Sequence, residues 1–140
     1  MSSAAQNAIA LLQAMSQKKA SDLHLSVGSP PLYRVNGLLV PDGQHPLSEE
    51  DVRGMVSSLL TQEQMSRFDR QKELDFSCGI PGGLRFRGNL LMQTQAMGAV
   101  FRLIPKDPPT LDQLGHPPIL KQLCRRRRGL ILVTGPTGSG

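Results

Sequence analysis

Ala4, Ala8, Leu11, Leu12 and Met15 recur at helical spacing, which predicts one amphipathic helix over the first twenty residues, ending in the polar Gln17-Lys18-Lys19. The period then drops to two. In "SDLHLSVG", Leu23, Leu25 and Val27 point one way while Asp22, His24 and Ser26 point the other, the pattern of a half-buried strand. Pro30-Pro31 interrupts it, and "LYRVNGLLV" follows as strand, turn and strand. Asn36-Gly37 sits between the two apolar runs because both central residues of a type I′ turn need positive φ.

Two helices come next, each announced by a cap. Ser48 with Asp51 fits a capping box and opens a helix carrying Val52, Met55, Val56, Leu59 and Leu60. Thr61 with Gln64 opens another, with Met65 and Phe68 on its inner side. After it, "ELDFSCG" and "GLRFRGNLLMQ" read as strands joined at Pro81-Gly82-Gly83, and "MGAVFRLI" puts Met97, Ala99, Phe101 and Leu103 on one face. The sum is an α+β domain over residues 1–104, its antiparallel sheet flanked by helices.

Residues 105–118, "PKDPPTLDQLGHPP", hold five prolines and a glycine, which sustain neither a helix nor a central strand. This stretch reads as a linker with one short turn at Thr110 to Leu114. Beyond it, residues 119–140 begin a second, incomplete domain: a helical piece from Ile119 to Cys124, four arginines, and a short buried strand from Gly129 to Thr134.

Composition narrows the partners. Apolar residues make up 39% of the 140 and aromatics 4%, and no apolar run approaches the roughly 20 residues of a membrane-spanning helix. The N-terminus lacks the basic leader and cleavage site of an export signal, so the expected location is cytoplasmic. Cys78 and Cys124 have no C-x-x-C spacing and read as inert, reduced thiols. Net charge is +5, but Arg125 to Arg128 supply four of the sixteen basic residues and the aromatics are scattered, which argues against nucleic acid as the partner. Those arginines read as a solvated helix end, with contact to a neighbouring subunit as the other reading. His45 and His116 lie in proline-rich loops and read as solvated. Asp22 and His24 share a strand face without a third group for acid–base work, so no catalytic residue and no metal ligand is expected in this segment.

The closing "GPTGSG" fills the first six positions of G-x-x-x-x-G-K-[ST], with Gly135, Pro136, Thr137, Gly138, Ser139 and Gly140 as candidate nucleotide-binding residues. "LILVT" supplies the strand from which such a loop hangs, and glycines let backbone N–H groups turn toward phosphate oxygens. The motif's next two positions, a lysine and a magnesium-binding hydroxyl, would fall past residue 140, so neither bound ATP nor hydrolysis is expected of these residues alone.

"ASDLHLSVGSPPLYRVNG", "ELDFS", "RFRGNLLMQ", "GAVFRLIP" and "GLILVTGPTGSG" stand in the order and spacing of the PilT group of bacterial secretion ATPases, which includes retraction motors of type IV pili and is related to the PilB and GspE proteins. The chain resembles that family's N-terminal portion. The resemblance implies a PAS-like domain, then a RecA-like ATPase domain starting around Leu120. It also implies a hexamer acting on pilus or secretion machinery at the inner membrane, with ATP and Mg²⁺ as the full-length protein's ligands. A non-catalytic subunit-interaction domain and a pilus-assembly or type II secretion ATPase are the other readings.

The same resemblance assigns Arg87 and Arg102 to the nucleotide's phosphates. In strand geometry Arg85 and Arg87 project to one face, and Arg102 lies on the neighbouring strand opposite the apolar Phe101 and Leu103 side. A solvated sheet face is the plain reading of any one of them; guanidinium forks also suit phosphate oxygens. The family departures are the basic run and Gly88, where relatives carry valine, which is expected to loosen the sheet or mark a bulge.

Overall fold

The computed structural model describes residues 3–93, 96–107 and 109–135. The chain divides into two units, Met1–Lys106 and Asp107–Gly140.

The first unit opens with α1 (Ser3–Gln17), whose Ala8, Leu12 and Met15 are buried. Strands β1 (Asp22–Ser26), β2 (Leu32–Val35) and β3 (Leu38–Pro41) follow. Asn36 and Gly37 take φ of 50° and 83° between β2 and β3, as the type I′ hairpin requires. Helices α2 (Glu49–Ser57) and α3 (Gln62–Gln71) carry complete capping boxes at Ser48/Asp51 and Thr61/Gln64. Leu59 and Leu60, expected on α2, lie beyond its end at Ser57 and pack against the core from the connecting turn. Strands β4 (Glu73–Gly79), β5 (Arg85–Gln93) and β6 (Ala96–Ile104) complete the unit.

The strands form one sheet in the order β3-β2-β1-β6-β5-β4, antiparallel throughout. The β1–β6 pairing joins the N-terminal hairpin to the later meander. It makes a single six-stranded sheet of what the sequence presents as two groups. One face carries Leu23, Leu25, Tyr33, Leu74, Phe76, Phe86, Leu90, Met97, Ala99 and Phe101, which together with α1, α2 and Phe68 of α3 make the core. Tyr33 is tied into it by its hydroxyl, which donates to the Leu11 carbonyl at 2.8 Å. The alternate residues of each strand occupy the opposite, open face.

Gly88 corrects an expectation. It sits in unbroken register between Phe76 and Phe101, with no bulge. Its missing side chain is filled by Phe76: a Cβ here would lie 2.4 Å from the Phe76 ring. That ring meets Phe101 edge-on, centroids 5.9 Å apart. The glycine leaves that ring its place in the core.

In the second unit, α4 (Ile119–Cys124) follows a turn at Thr110–His116 in which Thr110 and Gln113 bond each other. The expected strand at Gly129 to Thr134 is absent: these residues are irregular and exposed. An extended apolar segment becomes a strand only beside another strand that completes its hydrogen bonds, and none of the described residues pairs with it. Among the described residues no helix is long and apolar enough to cross a membrane.

Candidate functional site

The open face of the sheet carries a charged row across four strands. Register places Arg34 of β2 opposite Asp22 of β1, Asp22 opposite Arg102 of β6, and Arg102 opposite Arg87 of β5. Arg34 and Arg102 thus flank the carboxylate, and Arg87 stands one strand further along the row. The neighbouring row holds His24, Val100, Asn89 and Asp75. Between the two rows lies a shallow cleft of about 220 Å³, lined by Asp22, Asp75, Arg87, Asn89, Val100 and Arg102.

Asp22 organises this row. Its side chain is 6% exposed, and its Oδ1 accepts from Arg102 Nε at 2.9 Å and lies in ion-pair contact with Arg102 Nη2 at 2.8 Å. Its Oδ2 accepts from the Ser21 hydroxyl at 2.8 Å and lies 3.5 Å from Arg34 Nε. Burial pushes the carboxyl's pKa upward, but the Ser21 hydroxyl and Arg102 together outweigh it and hold it below the usual carboxylate value. Arg34 is anchored in turn by donating to the Gly37 carbonyl at 3.1 Å. Asp75 accepts from Asn89 at 3.2 Å.

Arg87 differs from its neighbour. It is exposed and makes no hydrogen bond or ion pair among the described residues. Two guanidinium groups therefore stand side by side at adjacent strand positions, one held by a carboxylate and one unengaged. Like charges directly opposite each other disfavour the fold, and a bound anion reverses that repulsion.

His24 flanks the row. Burial lowers its pKa below the ordinary value, Arg34 adds to the fall, and Asp22 opposes it. Its Nε2 is buried with no hydrogen-bond partner among the described residues. A neutral imidazole suits that place, and proton donation from it does not. Burial also raises the Cys78 thiol above its usual value, away from nucleophilic chemistry.

Of the residues singled out by sequence, the fold brings Arg87 and Arg102 together on one face. Gly135 is exposed and irregular, and Pro136, Thr137, Gly138, Ser139 and Gly140 lie outside the described residues. Sequence reasoning passed over Arg34 and the pairing of Asp22 with Arg102; the partners are 80 positions apart and no local signal links them. The donor set fits phosphate oxygens. For a divalent cation the described residues offer no group of three or more His, Cys, Asp or Glu side chains.

No family model matches the chain. Over 130 residues, 93% of its length, it is 42% identical to the type IV pilus retraction ATPase PilT of Pseudomonas aeruginosa, and 38% identical to the type IV pilus ATPase PilU of the same organism. It spans 38% and 34% of those two proteins. The crystal structure of the pilus retraction motor PilT with bound ADP superposes with a TM-score of 0.81 at 34% identity, covering 94% of this chain and 39% of that one.

Proposed function

We propose that this homologue of PilT and PilU is the N-terminal part of a secretion-type ATPase that retracts a type IV pilus, and that its open sheet face presents Arg87 and Arg102 to the phosphates of ATP. The observation that carries this is the direct β5–β6 pairing of Arg87 with Arg102, two donors of phosphate-matching geometry on an otherwise uncovered face of the first unit. At about 220 Å³ the cleft is below the roughly 300 Å³ at which small-molecule pockets begin, so it receives a phosphate chain and not a whole nucleotide. The base and sugar would bind elsewhere, on the RecA-like domain whose phosphate loop Gly135 begins. Bound ATP with Mg²⁺ supplies the transferable phosphoryl group. The chain's own arginines neutralise charge on its oxygens and do so only when the PAS-like domain is apposed to the RecA-like domain, which makes turnover depend on domain position. Such a protein works as a hexamer in the cytoplasm, against pilus machinery at the inner membrane.

One observation favours a second reading, in which this domain serves as a subunit-interaction module without chemistry. The edge strand β3 exposes Leu38, Leu39 and Val40 at 72%, 47% and 46%. Phosphate release by the full-length protein separates the two. Arg87→Ala and Arg102→Ala each lower turnover by about 10³-fold if they stabilise transferring phosphoryl oxygens. Turnover unchanged in both leaves the interaction reading.

A further inference from the structure

The unequal treatment of two adjacent arginines points to a role for Asp22. A guanidinium carries five N–H donors. Arg102 donates its Nε–H to Asp22 Oδ1 at 2.9 Å, and its Nη2 lies in ion-pair contact with the same oxygen at 2.8 Å. That is the side-on fork. The end-on fork, one hydrogen of Nη1 and the outer hydrogen of Nη2, meets no partner among the described residues. The side chain of Arg102 is 71% exposed while that of Asp22 is 6% exposed, so the held edge is inside and the free edge faces outward. Asp22 is itself immobilised, by the Ser21 hydroxyl at 2.8 Å and by Arg34 at 3.5 Å on its other oxygen. A side chain with four rotatable bonds thereby loses most of its freedom before any ligand arrives, and ordering that is already complete is not charged to binding. Arg87, one strand over, has no such tether.

We propose that Asp22 is a positioning residue: it holds Arg102 by the side-on fork so that the end-on fork is preset for a phosphate oxygen, with Ser21 and Arg34 as its supports. The proposal rests on the reading of Arg87 and Arg102 as phosphate ligands. Electrostatics alone predicts the opposite outcome, which makes the idea testable. Removing the Asp22 charge leaves the row more cationic, and an anion would then bind more tightly; losing the tether makes it bind more weakly.

The test is titration of the isotope-labelled 140-residue chain with inorganic tripolyphosphate, read by NMR at the Nε–H signals of Arg102 and Arg87. Free Arg102 should give a sharp, slowly exchanging signal that Asp22→Asn broadens. Asp22→Asn should weaken tripolyphosphate binding by about threefold to tenfold, the cost of ordering one rotamer-rich side chain on binding. Ser21→Ala alters no charge and loosens only the support; it should weaken binding by a smaller factor, and it guards against an Asp22 variant that fails to fold. Equal or tighter binding by a folded Asp22→Asn chain overturns the positioning role. If Arg87→Gln and Arg102→Gln both leave the titration unchanged in the wild-type background, the phosphate site itself is wrong, a failure distinct from the first.

Discussion

Arg87 and Arg102 face each other across the β5–β6 ladder, yet among the described residues only Arg102 of the two pairs with a carboxylate. Their contributions to stability therefore differ. Arg102→Gln leaves a buried Asp22 carboxylate without its main partner and is expected to destabilise the first unit by about 1–2 kcal/mol, discounted from fully buried pairs because Arg102 itself is largely exposed. Arg87→Gln removes a like charge from an open face and should fall within about 0.5 kcal/mol of wild type, toward greater stability. Urea denaturation of the two variants measures the difference, and equal losses would show that Asp22 does not depend on Arg102.

The pH dependence of stability follows from His24 and Asp22. Both have folded-state pKa values below their ordinary values of 6.5 and 3.8. The unfolded chain then binds more protons, so stability rises with pH. His24 contributes fully above its ordinary value and loses that contribution as pH falls through its lowered folded value; Asp22 repeats the pattern further down. Denaturation midpoints should thus drop between neutral and mildly acidic pH. His24→Gln, which cannot take up the proton, should flatten that interval while leaving the more acidic fall in place. An unchanged interval in His24→Gln would assign the loss to other groups.

Local signals carried most of the elements. The capping boxes at Ser48 and Thr61, the Asn36-Gly37 turn and the alternation in β1, β5 and β6 each concern residues a few positions apart, and each appears as expected. What sequence could not display is pairing at long range. The β1–β6 ladder brings Asp22 to Arg102 across 80 positions, and that contact decides which arginine is held. The same limit explains Gly129 to Thr134, whose apolar, β-favouring residues take no strand form without a neighbour. Gly88 failed for a related reason: its meaning lies in the ring of Phe76 on the adjacent strand.

Gly88 supplies a prediction in which two rules of thumb disagree. In the middle of a regular strand, valine in place of glycine ordinarily stabilises, because glycine has more backbone freedom to lose and valine packs well on a pleated surface. Here an added Cβ would meet Phe76 Cζ at 2.4 Å and Cε1 at 2.5 Å, closer than side chains approach, and the ring cannot move without losing its edge-on contact with Phe101. Overpacking wins: Gly88→Val should cost about 1–3 kcal/mol. Phe76→Leu alone should also destabilise, since it removes ring atoms from the core. Combined, the two should cost less than their sum by about 1 kcal/mol or more, because the shorter side chain vacates the space the valine needs. Strict additivity in that double-mutant cycle, measured by urea denaturation, would mean that the ring is not what keeps this position a glycine.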